Sequence, residues 1–338
     1  MNRGHFIGLA GLSALAPLSP LRAGAQTVDP QDADPALSST AASLRVLLGP
    51  GNAVATPGGF TFNGLPYRGT FSRQPDGTIV NTLPLEQYLY SVVAREMPPG
   101  WPVAALQAQA VCARTYVLQR SNPRRAYDLM PSEADQVYGG SANETPSTTA
   151  AVDATSGNVL RFGDDFAQVL YSSCCGGHTE ASSDAWNGPP FAYLRGVVCP
   201  YCTASPYYRW TSDVPLETVA QAFQNELMPF GALRDVRVSA TDASGRARSF
   251  DLVGEHGTYT VKGSAFRLRV GSRTLRSLLI VKMSVAPPQA APTVSIEGGG
   301  LGHGVGLCQW GARGMAFAGA SARDILALYF PGTQLGND

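Results

Sequence analysis

Two groupings of residues in this sequence have the types and spacing to do chemistry: a carboxyl on an apolar helical stripe, and a set of closely spaced thiols. The carboxyl is Glu96. Leu85, Leu89 and Val92 recur at helical spacing, and four residues further the same face arrives at Glu96, just before Pro98-Pro99. A carboxyl placed there loses hydration, which disfavours its ionised form and keeps a proton available near neutral pH, as a general acid requires. The other readings are an ion pair with Arg95 or Arg114, or a stripe that ends one turn earlier and leaves Glu96 solvated. The thiols are Cys174 and Cys175 at the tip of an expected hairpin, and Cys199-Pro-Tyr-Cys202, whose two-residue gap lets both sulfurs face one ion. His178 follows closely and would substitute as a ligand. Four thiolates, or three with an imidazole, complete a tetrahedral structural zinc site; in an oxidising compartment the same cysteines would instead form disulfides. Cys112 and Cys308 read as small buried side chains.

Other catalytic designs fit less well. Beyond the first residues only His178, His256 and His303 are present, and no serine sits in a nucleophile-elbow pattern. A thiolate-rich cluster is unlike the His-rich open site of a zinc hydrolase. The run Gly298-Gly299-Gly300-Leu301-Gly302-His303-Gly304-Val305-Gly306 lets backbone approach a ligand, but it lacks the spacing and βαβ context of a dinucleotide fingerprint.

The elements that must position these groups are legible in outline. A first helix opens at Pro84, and a second, Ala-rich one begins near Trp101-Pro102 and carries Val103, Leu106, Ala110, Ala113 and Val117 on one side. Strands are expected at 44–48, 60–62, 67–71 and 78–82, then a hairpin of 159–162 and 167–172 leading to the thiols. Pro215 opens a further amphipathic helix, followed by alternating strands. Ser321 with Asp324 has the form of a helix N-cap. The fold class is α+β: small antiparallel sheets with a central helical pair, plus a β-rich second lobe. The boundaries are a signal peptide at 1–25, a linker at 26–42, the main lobe at 43–209, the second lobe at 210–285 and a return to the main lobe at 286–338.

The chain has 338 residues, with 25 basic and 25 acidic side chains. No field of one sign favours nucleic acid or an anionic membrane. Arg3, the apolar run Phe6 to Leu18 and Ala23-Gly24-Ala25 read as a secretory signal, too short to span a bilayer. The expectation is an exported protein of a periplasm or cell wall with no transmembrane span.

Three stretches together carry a resemblance: "LPLEQYL…VVAREMP…WPVAALQAQAVCARTY", "YSSCCGGHTE" with a following tryptophan, and "GGGLGHGVGLCQWGARGMA" ending in "YFPGT". In order and over roughly 44–333 they resemble the stage II sporulation protein D family, also described as the LytB amidase-enhancer family. The resemblance implies a SpoIID-like fold and action on peptidoglycan glycan strands, as a lytic transglycosylase with Glu96 as acid and then base. It places the Gly-rich loop and the "QWG" after it beside the substrate groove. His303, Gln309 and Trp310 then become substrate contacts, with Arg114, Tyr116, Ser172 and Ser173, and Glu180 and Asp184 are fallback acids. It also allows structural zinc near the thiol loop, with no cofactor needed for catalysis. The alternative is a non-catalytic wall-binding protein that activates a cell-wall amidase.

Overall fold

The computed structural model describes residues 43–132, 135–186, 188–285 and 292–337. The signal peptide and linker expected at 1–42, and the Pro-rich return at 287–291, lie outside the described residues. What is described is α+β, with nine α-helices and small, mostly antiparallel sheets among those residues.

The N-terminal strands β1 (Ser43–Pro50), β2 (Ala53–Thr56), β3 (Gly59–Phe62), β4 (Leu65–Arg68), β5 (Thr70–Arg73) and β6 (Thr78–Pro84) form two three-stranded sheets, β1-β6-β5 and β2-β3-β4. In β1 the alternation of Leu44 and Val46 puts both side chains into the core, opposite Leu83 and Asn81 of β6. Strand β6 runs straight into α1 (Leu85–Glu96), with Pro84 as N-cap rather than as a residue of the first turn. After the Pro98-Pro99 corner comes α2 (Val103–Arg120). This helix is the axle of the molecule. One side, Ala110, Ala113 and Val117, packs with α1 and the first sheet; the other, Ala105, Leu106, Ala108 and Val111, packs with the cysteines and the C-terminal helices. The alanine run makes that possible, since small side chains let neighbours approach on every side.

Next come α3 (Pro146–Asp153), β7 (Asn158–Phe162), β8 (Asp165–Phe166), β9 (Tyr171–Ser172) and α4 (Ser182–Trp186). The expected hairpin is short. β7 pairs with β8, while Tyr171 and Ser172 leave it to pair in parallel with Leu307 and Cys308. The chain then builds the second lobe from β10 (Trp210–Pro215), α5 (Leu216–Ala222), α6 (Gln224–Leu227), β11 (Leu233–Thr241), β12 (Ala247–Gly254), β13 (Gly257–Lys262), α7 (Gly263–Val270), β14 (Leu279–Val285) and β15 (Thr293–Gly299). Its core is separate, with Phe223, Phe250 and Phe266 at the centre, and it includes Val294 and Ile296 of β15. Because β15 lies between β10 and β14, this lobe extends past residue 285.

The last segment holds β16 (Leu307–Cys308), α8 (Gln309–Phe317), α9 (Ala322–Tyr329) and β17 (Gln334–Asn337), which closes on β7. Helix α9 begins with the expected capping box of Ser321 and Asp324.

Candidate functional site

Glu96 is the last residue of α1, where Met97 turns the backbone to an extended conformation. The apolar stripe holds as far as Val92 and Val93, and Glu96 beyond it is half-buried. The amide of Gln309, the first residue of α8, donates to Glu96 Oε2 at 3.2 Å and to Gln109 Oε1 at 3.3 Å. Gln109 is fully buried on α2. Three helices thus converge on one carboxyl, and the glutamine pair fixes its orientation. An amide suits a carboxyl that changes protonation state, because it offers a donor to the carboxylate and an acceptor to the acid.

The surroundings are polar and incompletely satisfied. Tyr88 Oη, Gln109 Nε2 and Tyr171 Oη are buried and make no hydrogen bond among the described residues. Each such group costs about 1–3 kcal/mol, and folded proteins keep few of them away from functional sites. Burial pushes the Tyr171 phenol well up, with the Glu96 charge the next cause; Tyr88 is raised in the same way, Glu96 contributing last. Both are neutral hydroxyls at any ordinary pH.

The other expected site residues divide. Ser172 lies in β9, against the Gly-rich loop near Gly302, and the Ser173 carbonyl accepts the Trp310 N–H at 3.0 Å. His303 Nδ1 accepts the Val305 N–H at 2.9 Å, and its ring faces Trp186 with centroids 5.2 Å apart. Burial pushes the His303 imidazole down to about 4, so it is neutral near pH 7. The loop itself is shaped by glycine: a Cβ on Gly304, at φ 79°, would strike the Arg246 guanidinium, and one on Gly306, at φ 72°, the Leu170 carbonyl.

Arg114 does not reach Glu96. It is fully buried and forms a two-pronged ion pair with Glu86, 2.7 Å for each bond, while also donating to the Asn158 and Val152 carbonyls. Glu86, one helix face away from the Leu85 stripe, is the partner that the apolar periodicity concealed. Tyr116 is likewise given to another residue, its hydroxyl donating to Asp135 at 2.9 Å. Of the fallback acids, Glu180 is buried against Arg246 at 3.5 Å and Asp184 pairs with Arg248 at 3.0 Å. Burial pushes Glu180 up to about 8 against the pull of Arg246, with Asp242 adding to the rise.

The thiols assemble with one substitution. The four sulfurs that come together are those of Cys175, Cys199, Cys202 and Cys308, all within 4.8 Å of one another and all buried. Cys308 takes the place expected for Cys174, because the β9–β16 pairing sets it opposite Ser172, next to the thiol loop. His178 is not among the ligand atoms; its Nδ1 lies 2.6 Å from the Thr179 carbonyl. None of the six cysteines is in a disulfide. The separation of Cys175 and Cys202 Sγ, 3.7 Å, is far beyond a covalent S–S bond. It matches the edge of about 3.8 Å of a tetrahedron built on Zn–S bonds of about 2.3 Å. Donors already point at the sulfurs: the Cys175 and Gly311 N–H groups at Cys308, 3.2 and 3.3 Å, and Tyr329 Oη beside Cys199 at 3.0 Å. Hydrogen bonds from Cys175, then Cys202 and Cys308, pull the Cys199 thiol strongly down, and Cys174 and Cys175 lead in bringing Cys202 down to about 4, whereas hydrogen bonds with Cys199 and Cys202 push Cys175 up and burial pushes Cys308 up. The sulfur spacing and the donors around it fit a zinc ion held by four cysteines.

A family model described as "Stage II sporulation protein" matches residues 73–162, the segment containing Glu96, α1 and α2. A second, "Domain of unknown function (DUF8618)", matches residues 201–306. An uncharacterised protein of Brachyspira hyodysenteriae is 31% identical over 287 residues, covering 83% of this chain and 75% of that protein. Stage II sporulation protein D of Bacillus subtilis is 28% identical over 274 residues, 76% of this chain and 75% of its own length. The Bacillus subtilis protein named amidase enhancer is 27% identical over 296 residues, 73% of this chain, and the match spans only 40% of that longer protein. With the family model lying on the Glu96 helices and relatives matching along 73–83% of its length, the chain belongs to the stage II sporulation protein D / LytB amidase-enhancer family.

Proposed function

We propose that this protein is an exported lytic transglycosylase of peptidoglycan glycan strands, in a cell-wall-related family. The observation that carries the reading is Glu96 held by the Gln309–Gln109 pair among buried, unpartnered hydroxyls. Glu96, protonated, gives its proton to the glycosidic oxygen as the bond to the anomeric carbon breaks. The same carboxylate then takes the proton of the muramic acid C6 hydroxyl as that oxygen closes on the anomeric carbon. The product is an anhydro sugar, no water is consumed, and one carboxyl suffices where a hydrolase needs two. Gln309 follows Glu96 through both states.

In this reading the four-thiolate cluster takes a structural zinc ion, which would tie the thiol loop to Cys308 and so to Gln309 beside it. Among the described residues no helix is long and apolar enough to cross a membrane. Export to a periplasm or cell wall rests on the N-terminal sequence.

The test is incubation of the mature protein with purified peptidoglycan and analysis of the fragments. Anhydro-muramyl ends are expected, and Glu96→Gln should lower their release about 10²–10⁴-fold. Anhydro ends that persist in Glu96→Gln would remove Glu96 from the reaction. The name of the amidase-enhancer relative favours a second reading, in which the protein grips strands and stimulates a cell-wall amidase without cutting them. It predicts strands left intact, bound protein and faster cleavage by an added amidase.

A further inference from the structure

Helix α8 continues past the residue that touches Glu96, and its outer face has no role in the reaction above. Gln309, Arg313 and Phe317 follow one another at four-residue spacing, so they lie along one side of the helix, about 6 Å apart per step at about 1.5 Å per residue. Trp310 sets its ring edgewise against Trp101, with centroids 5.1 Å apart. Trp101 itself comes just after Glu96, across the Pro98-Pro99-Gly100 corner. The Arg313 guanidinium lies over all three neighbouring rings, 4.6 Å from Phe317, 5.0 Å from Trp310 and 5.8 Å from Trp101. Phe317 is 63% exposed.

Arg313 differs from the buried arginines of this protein. Arg114 and Arg246 are each taken up by a carboxylate and by backbone carbonyls. Among the described residues Arg313 has no ion pair, and its Nε, like that of Arg246, is buried without an acceptor. A guanidinium spread over aromatic rings keeps its planar fork ready for a carboxylate. The exposed Phe317 ring beside it, with the half-buried Trp101 and Trp310, suits the C–H face of a pyranose.

We propose that Trp101, Trp310, Arg313 and Phe317 form a subsite next to Glu96 for a strand amino sugar that bears a carboxylate. The assignment rests on the peptidoglycan reading above. The aromatic rings hold the sugar face, and Arg313 takes the carboxylate in two parallel hydrogen bonds. On such a strand that group has two sources, the lactyl ether of muramic acid and the carboxyl groups of the stem peptide.

The experiment compares the full-length mature protein with Arg313→Gln, Arg313→Lys and Phe317→Ala on three probes. These are strands stripped of stem peptides, strands that keep them, and neutral N-acetylglucosamine oligomers; binding and turnover are both measured. Arg313→Gln should weaken binding and raise KM about 10–100-fold on a carboxylate-bearing strand, the size of a charge-assisted pair, with kcat within about threefold. Binding of the neutral oligomers should not change. Arg313→Lys should restore only part of the affinity, because an ammonium cannot reproduce the fork. Phe317→Ala should weaken all three probes about equally. A loss confined to stripped strands identifies the lactyl carboxylate, and one confined to peptide-bearing strands identifies the stem. If Arg313→Gln binds every probe as the parent does, the subsite is wrong. If Arg313-dependent binding persists but no strand is ever cut, the subsite stands and only the transglycosylase reading fails.

Discussion

In the second lobe, Phe250 stacks on Phe266 with centroids 4.2 Å apart and Phe266 on Phe223 at 5.8 Å. Three of its arginines sit at the surface in pairs, Arg269 with Glu226, Arg237 with Asp251 and Arg234 with Glu255. Around Glu96 the arrangement is reversed. Buried amides and hydroxyls stand without partners, and an arginine rests on aromatic rings with no carboxylate. A lobe with a stacked aromatic core and paired surface charges is a support. A region that leaves polar groups unanswered gives up stability, and the return is a place for a ligand.

The contrast can be broken most decisively at the thiols, which lie between the two regions. Cys308→Ser should abolish stoichiometric zinc in the purified protein and lower its melting temperature sharply, while Cys174→Ser should retain the metal. Elemental analysis beside a thermal melt reads both, and the opposite ranking would restore Cys174 as the ligand. In the second lobe, Phe250→Ala should cost about 3–5 kcal/mol of stability by opening a cavity in a stacked core. The folded fraction should keep its activity per molecule; a fall there would mean that the lobe takes part in the chemistry. Near Glu96 the prediction is inverted. Gln109→Leu removes a buried amide that already lacks one partner, so denaturant midpoints should move little. Turnover should fall about tenfold or more with KM nearly constant, because Gln309 then loses its hold.

The smallest effect is electrostatic. Glu180, raised to about 8 from an ordinary 4.5, keeps its proton when folded and releases it on unfolding between those values, so its contribution falls as pH rises through that window. His303, lowered to about 4 from 6.5, is neutral when folded and takes up a proton on unfolding, so its contribution is lost as pH falls from 6.5 to 4. The two slopes oppose each other between about 4.5 and 6.5, and only that of Glu180 acts between 6.5 and 8. Melting temperatures of Glu180→Gln and the parent should therefore diverge as pH is raised above 6.5. Parallel curves would show that Arg246 holds Glu180 as a carboxylate.

The sequence carried the helix pair because its signals are local: a proline before each helix, an apolar stripe, an alanine run and a proline corner between them. Glu96 is legible as the last polar residue before the proline corner, although the stripe itself ends at Val92 and Val93, and Gln309 is legible in the "QWG" run. What the sequence did not carry depends on pairings between distant segments. Arg114 looked available because its partner, Glu86, is off the apolar stripe and 28 residues away. Cys308 looked inert because nothing near it in sequence announces the parallel ladder that sets it among the thiols. Tyr171 and Ser172 were expected to finish a hairpin, but the Gly-rich loop competes for them with backbone of its own.

Trp210, where the second lobe begins, is paired across the ladder with Gly298, almost where it ends, and the indole N–H donates to the Gly300 carbonyl at 2.8 Å. Entrance and exit are neighbours. In descent, such a module can be gained or lost by one insertion or excision at that doorway, with no rethreading of the enclosing chain. Excision would uncover the Cys175 and His178 carbonyls that Arg246 now satisfies. A shortened protein would need another donor at that spot before its thiol loop could keep its present form.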